Sequence, residues 1–215
     1  MQLIVLRLTD PIEPQIVEAV AVVRRGGVVA FPTDTLYGLA ADPRSQDAVS
    51  RIFALKGRTL DRTLALVACD LVQVDEVGML TSVARRAASQ FWPGPLTILL
   101  QARPGLAPAI VGEGGLVGVR IPDHPVALAL TRACGHALTA TSANRSGEPA
   151  TAEPEKVAIQ LPNLDLLLDA GLAPGGPPST IVDLSGEPPR LVRAGATPWE
   201  RVLESFRPAS SSSAT

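Results

Sequence analysis

The chain has 215 residues, 46% of them hydrophobic, and a formal net charge of −2. That is enough for one domain with a sizeable core, and too little for two large ones. The slightly acidic balance argues against a general nucleic-acid binder, which would carry a basic domain, although a locally basic cleft stays compatible with it.

The two cysteines, Cys69 and Cys134, lie far apart with no partner spacing. They exclude a disulfide framework or a cysteine-rich zinc site, and both are expected as buried free thiols. The apolar start MQLIVLRLTDP reaches Arg7 and Asp10 too soon for a signal peptide. No apolar run approaches the roughly 18 residues of a membrane span. A cytoplasmic protein with no membrane partner is expected.

In chain order, residues 2–8 read as a strand and 13–25 as a helix, with Ile16, Val17, Val20 and Val23 on one face and Gly26 as its stop. Gly27 to Phe31 returns as a strand. Ser45 to Leu55 is the next helix, with Ser45 and Asp47 suited to its first turn. Leu64 to Ala68 is a buried strand, and 81–90 a helix that Trp92-Pro93-Gly94-Pro95 ends. Leu96 to Gln101 and Leu116 to Ile121 are strands. His124 to Arg132 is a helix with Pro125 at its first position. Ala137 to Thr141 is a strand and Glu153 to Gln160 a helix. Strands follow near 165–168, 179–184 and 190–193, then a helix from Trp199 to Phe206. This alternation points to an α/β (α+β) domain, a mixed sheet covered by helices. A single domain over 1–207 is expected, with a low-complexity, disordered tail at 208–215.

Chemistry collects where strands give way to loops. Thr33, Asp34, Thr35 and Tyr37 crowd one turn. They read either as a self-capped turn or as a hydroxyl-rich site for a small polar ligand. Lysine occurs twice, at Lys56 and Lys156, against seventeen arginines, and Lys56 stands beside Gly57 and Arg58 with Arg62 four residues on. These cations either complement a helix C-terminus or bind an anion such as phosphate. Later, the segment 139–147 clusters Thr141, Ser142 and Asn144 at a strand end. Arg120, Ser179 and Arg193 stand at other strand ends. There is no G-x-x-x-x-G-K-[ST] loop, no strand-linked G-x-G-x-x-G and no G-x-S-x-G elbow. His124 and His136 are read as a helix-start residue and a loop residue, without metal-ligand spacing. Any catalysis must then rest on positioning and charge stabilisation.

The segments PTDTLYGLA, ALKGR, FWPGPLT, VGVRIPDHPVA, TSANRSGEPAT, PSTIVD and LVRAG occur in the order found in YrdC-like proteins. The chain resembles that family, the threonylcarbamoyl-AMP synthases of tRNA modification, from about residue 13 to residue 205. The resemblance implies a YrdC-like fold, a twisted sheet of parallel and antiparallel strands flanked by helices around a positively lined central cavity. It implies a nucleotidyltransferase that joins L-threonine, bicarbonate or CO2, and ATP into L-threonylcarbamoyladenylate and pyrophosphate, with Mg2+ accompanying the ATP. The threonylcarbamoyl group then reaches adenosine 37 of tRNA through separate transfer partners. By the same resemblance Thr33, Thr35, Tyr37, Arg120 and Ser179 line or hold the threonine. Lys56, Arg58, Arg62, Ser142, Asn144 and Arg193 bind ATP, with Lys56 and Arg58 supplying catalytic charge stabilisation. The alternative is a non-catalytic RNA- or nucleotide-binding paralogue with weak RNA binding of its own.

Three features depart from the family pattern. Thr59 and Thr63 stand where many relatives have proline, which leaves this loop less rigid. Val67 stands where longer relatives carry a histidine that contacts threonine, and shorter members lack that histidine too. The second C-terminal domain of the longer members is not expected here.

Overall fold

The computed structural model describes residues 1–57 and 63–206. The expected tail at 208–215, Arg58 and Arg62 therefore lie outside the described residues. The mixed sheet is present as two sheets. The first holds five strands in the order β1 (Gln2–Val5), β10 (Leu166–Asp169), β2 (Val29–Phe31), β3 (Gly38–Ala40) and β9 (Thr141–Ser142). Its first three strands run parallel; β2, β3 and β9 pair antiparallel. The second sheet runs β12 (Arg190–Arg193), β11 (Thr180–Asp183), β6 (Leu96–Ala102), β7 (Leu116–Arg120), β4 (Leu66–Val67) and β8 (Leu138–Thr139), with β5 (Gly78–Met79) also on β6.

The period-2 alternation of β2 explains how one strand serves two cores. Val28 and Ala30 face a core shared with the second sheet, α3 (Gln46–Lys56) and α5 (Ser82–Phe91). Val29 and Phe31 face the other way, onto α2 (Val17–Arg24) and α6 (Pro125–Cys134). Ser45 caps α3 by accepting from the Ala48 amide at 3.2 Å, as the sequence suggests. Gly57 ends it in the left-handed conformation at φ 59°, where a side chain would be strained.

Four elements differ from expectation. The helix over 13–25 breaks at Ile16 into α1 (Ile12–Gln15) and α2, and the break tucks Ile16 fully inside. The strand over 137–141 is two strands, β8 and β9, with Ala140 carrying the chain from one sheet to the other. The segments Gly38–Ala40 and α4 (Leu71–Val77) are regular elements that the sequence pattern does not announce. Asp70 signals α4, since its Oδ1 accepts from the Gln73 amide at 2.9 Å. Cys134 is buried as expected, but Cys69 is partly exposed, because it lies in the turn leading into α4.

The crossover at Ala140 positions the site. Thr139 Oγ1 accepts from the Ala41 amide at 2.8 Å and donates to Leu39 O at 2.9 Å, so a β8 side chain stitches the two sheets together. The ends of β2, β7, β11 and β12 and the whole of β9 meet beside this seam. Among the described residues no helix is long and apolar enough to cross a membrane.

Candidate functional site

A cavity of about 390 Å³ opens at the seam between the sheets. Its lining brings together Thr33, Thr35, Tyr37, Arg120, Ser142, Ser179 and Arg193, seven positions singled out in the sequence and spread over some 160 residues. Two other surface hollows, one beside Arg51 and Arg145 and one beside Val17 and Arg24, hold none of them.

The turn after β2 is both of the things its sequence allowed. Thr33 Oγ1 donates to Leu36 O at 2.7 Å and accepts from the Thr35 amide at 3.2 Å, so the turn caps itself. The same oxygen accepts from Arg120 Nη2 at 3.1 Å. Arg120 Nη1 donates to Asp34 Oδ1 at 2.7 Å, and both side chains are more than nine-tenths buried. Burial pulls the Arg120 guanidinium below its ordinary value, with the Asp34 charge opposing that pull. Arginine still remains charged, since its ordinary value lies so high.

Ser179 and Arg193 form a second cluster. Arg193 Nη2 donates to Ser179 O at 2.6 Å, and Ser179 Oγ shares a hydrogen bond of 2.9 Å with Thr97. Arg193 is also lowered, first by burial and then by the positive charge of Arg120, which places two guanidiniums in electrostatic reach of each other. Gly195 makes this packing possible. A Cβ there would overlap the backbone of Pro178 and Ser179, on which the 194–197 segment lies.

Tyr37 presents its ring to the cavity and turns its hydroxyl away. The hydroxyl donates to Gly171 O at 2.7 Å and accepts from the Ala170 amide at 3.2 Å. Burial pushes this phenol up to about 12, so it stays protonated and tethers the turn to the end of β10.

Lys56 and Asn144 are adjacent, but neither lines this cavity. Lys56 is 3% exposed, and its Nζ donates to Ser142 O, to Asn144 O at 2.8 Å and to Asn144 Oδ1 at 3.1 Å. Ser142 Oγ in turn donates to Asn144 Oδ1 at 2.5 Å, and the Ser146 amide donates to Lys56 O at 2.8 Å. The ammonium thus pins the 142–146 loop to the end of α3 from behind the cavity wall.

Residues not assigned from sequence also line the site, among them Thr63, Ala65, Thr97 and Ile181. Thr97 had a usable signal, since it closes the FWPGPLT segment. Asp34 had one too, because a carboxylate among three hydroxyl residues needs a partner. Val67 is fully buried and lies opposite Arg120 in the parallel pairing of β4 with β7. Among the described residues no group of His, Cys, Asp and Glu is arranged to hold a metal.

Comparison with known proteins gives a consistent result. The model of the Sua5/YciO/YrdC family, described as Telomere recombination, matches residues 21–195. The chain is similar to a threonylcarbamoyl-AMP synthase of Bacillus subtilis (38% identity over 197 residues), covering 88% of this chain and 56% of the relative. It is equally similar, over 171 residues, to a threonylcarbamoyl-AMP synthase of Nitrosococcus oceani, covering 77% of this chain and 90% of the relative. The chain thus spans little more than half of the first relative and most of the second. The crystal structure of P. abyssi Sua5 complexed with L-threonine superposes with a TM-score of 0.88 at 34% identity, over 95% of this chain and 60% of that one.

Proposed function

The chain belongs to the Sua5/YciO/YrdC family, and from that premise we propose that its cavity forms L-threonylcarbamoyladenylate and pyrophosphate from L-threonine, bicarbonate or CO2, and ATP. The observation that carries this reading is a buried guanidinium, Arg120, in the lining of a hydroxyl-rich cavity, with a second, Arg193, in the same lining and within its electrostatic reach. A fixed guanidinium fork suits a carboxylate, and the hydroxyl-bearing side chains around it suit the rest of a small polar amino acid.

In this reading the threonine carboxylate meets Arg120, with Thr35 and Ser179 alongside and the Tyr37 ring as a wall. Its amine, once deprotonated, adds to CO2 to give a carbamate. A carbamate oxygen attacks the α-phosphorus of ATP; the bond to the β-phosphate breaks and pyrophosphate leaves. Arg193 and Ser142 meet the phosphates. Lys56 and Asn144 hold the loop that carries Ser142, and the Lys56 charge adds to the positive potential from one layer behind. Arg58 and Arg62 complete the ATP-binding set. Positioning and neutralisation of charge on the phosphates supply the rate, as expected for transfer to phosphorus. No carboxylate lines the cavity among the described residues, so Mg2+ arriving with ATP would be held by phosphates and water, and no step runs through a protein-held metal. The product's threonylcarbamoyl group passes to tRNA through separate transfer proteins, and the chain acts in the cytoplasm.

The test is to incubate the protein with ATP, L-threonine and bicarbonate and to measure pyrophosphate and the adenylate. Threonine-dependent pyrophosphate release is expected. Its absence from folded protein would overturn the synthase assignment in favour of a nucleotide-binding paralogue.

A further inference from the structure

Asp34 lies behind the cavity rather than in it. Its carboxylate is 91% buried by side-chain area, since 9% of that area is exposed. Oδ1 holds Arg120, while Oδ2 is the one buried side-chain polar atom among the described residues without a hydrogen-bond partner. An orphaned buried carboxylate oxygen is costly, so a residue that keeps one needs a reason beyond capping. The turn does not supply it: the Thr33 hydroxyl, not Asp34, caps the local backbone. Nearby His124 is buried, and burial holds its imidazole below the ordinary range, so it is neutral at neutral pH and offers Asp34 no charge. The charged side chains that line this end are Arg120 and Arg193, with Asp34 paired to Arg120; Asp123, which also acts on His124, is exposed and screened by solvent. Two positive charges and one negative leave a single positive charge facing the ligand.

We propose that Asp34 is a positioning residue that sets specificity by charge: paired with Arg120, it limits this end of the cavity, before ATP engages Arg193, to one net positive charge, so that it accepts a monocarboxylate and discriminates against small free dianions such as sulfate or hydrogen phosphate. Without the carboxylate, the buried Arg120 guanidinium and the more exposed Arg193 guanidinium in its electrostatic reach would form a stronger dianion site, and phosphate species would compete with the amino acid. The inference rests on the reading of this end as the amino-acid subsite.

The experiment measures equilibrium binding of L-threonine in the presence of sodium acetate or sodium sulfate at constant ionic strength. In the wild-type protein sulfate should compete no more than about threefold better than acetate. In Asp34→Asn, which keeps the shape and removes the charge, the preference for sulfate over acetate should rise by about tenfold. This follows because a unit charge several ångströms away shifts a dianion by about ten times more than a monoanion at an effective protein dielectric. A merely structural role would lower threonine affinity without moving this ratio. An unchanged ratio in folded Asp34→Asn overturns the proposal. So does a wild-type protein in which sulfate already outcompetes acetate tenfold, a result that decides the matter even where the variant does not fold. Threonine binding without pyrophosphate release would sink the synthase reading and leave this inference standing. A wild-type cavity that does not bind threonine sinks both.

Discussion

At the level of single residues, Lys56 illustrates how burial changes the meaning of a charge. In the sequence it is one of two lysines, set beside glycine and arginine at a helix end, and a phosphate ligand is the natural reading. In the fold its ammonium meets the oxygens of Ser142 and Asn144 and is almost wholly covered. Lys56→Met keeps the aliphatic stem but strands those acceptors. It should lower folding stability by about 3 kcal/mol, the cost of leaving buried polar groups unpaired, while nucleotide affinity falls through the displaced Ser142 loop. Denaturant unfolding alongside nucleotide titration separates the two effects. Full stability in the variant would contradict a structural role for the ammonium. His124 is the complementary case, a histidine whose sequence reading as a helix-start residue holds. Its Nδ1 accepts from the Val126 amide at 3.3 Å, which requires that nitrogen to be unprotonated.

At the level of elements, the decisive feature is the split of one expected strand into β8 and β9. The segment from Ala137 to Thr141 reads as one strand and gives no local sign that the chain changes sheets after two residues. The reason is non-local: Thr139 reaches back to β3, about a hundred residues earlier, and spends its hydroxyl on Leu39 and Ala41. Thr139→Val is nearly isosteric and removes that stitch. It should cost about 2 kcal/mol in chemical denaturation, from the unsatisfied buried backbone groups it leaves. A loss below about 0.5 kcal/mol would show that the stitch is incidental. The α3 helix is the contrasting element, because everything that defines it is local. Ser45 begins it, Gly57 ends it, and the sequence places both boundaries within a residue of where they lie.

At the level of the whole molecule, a buried neutral histidine makes stability depend on pH in a definite direction. Burial lowers the His124 pKa below its ordinary 6.5 in the folded protein. As pH falls through 6.5 the unfolded chain takes up a proton that the folded chain refuses, so stability present above that value is lost on acidification. Thermal melts should therefore decline from about pH 7.5 towards about pH 5.5. His124→Asn retains a capping side chain and removes the titration, and should flatten that decline. An unchanged slope in the variant would assign the acid sensitivity elsewhere. At lower pH the Asp42 and Asp183 carboxylates add to the loss. Burial works against both, yet hydrogen bonds from Arg44 to Asp42 and from Ser185 and Arg190 to Asp183 hold their folded pKa values below the ordinary 3.8, so their contribution disappears as they protonate.

The sequence by itself determined the α/β class, the order of nearly all elements, the boundaries of α3, the start of α6, and the identity of most residues that gather at the site. Those properties are local: hydrophobic period, capping side chains, and hydroxyl or guanidinium groups at strand ends can be read without knowing what lies across the fold. Only the tertiary structure decided which of those residues face the cavity and which stand behind it. It put Arg120 in the lining and Lys56 behind it, and it gave Asp34 its orphaned oxygen, because burial, charge proximity and unsatisfied hydrogen bonds arise only between segments that folding brings together.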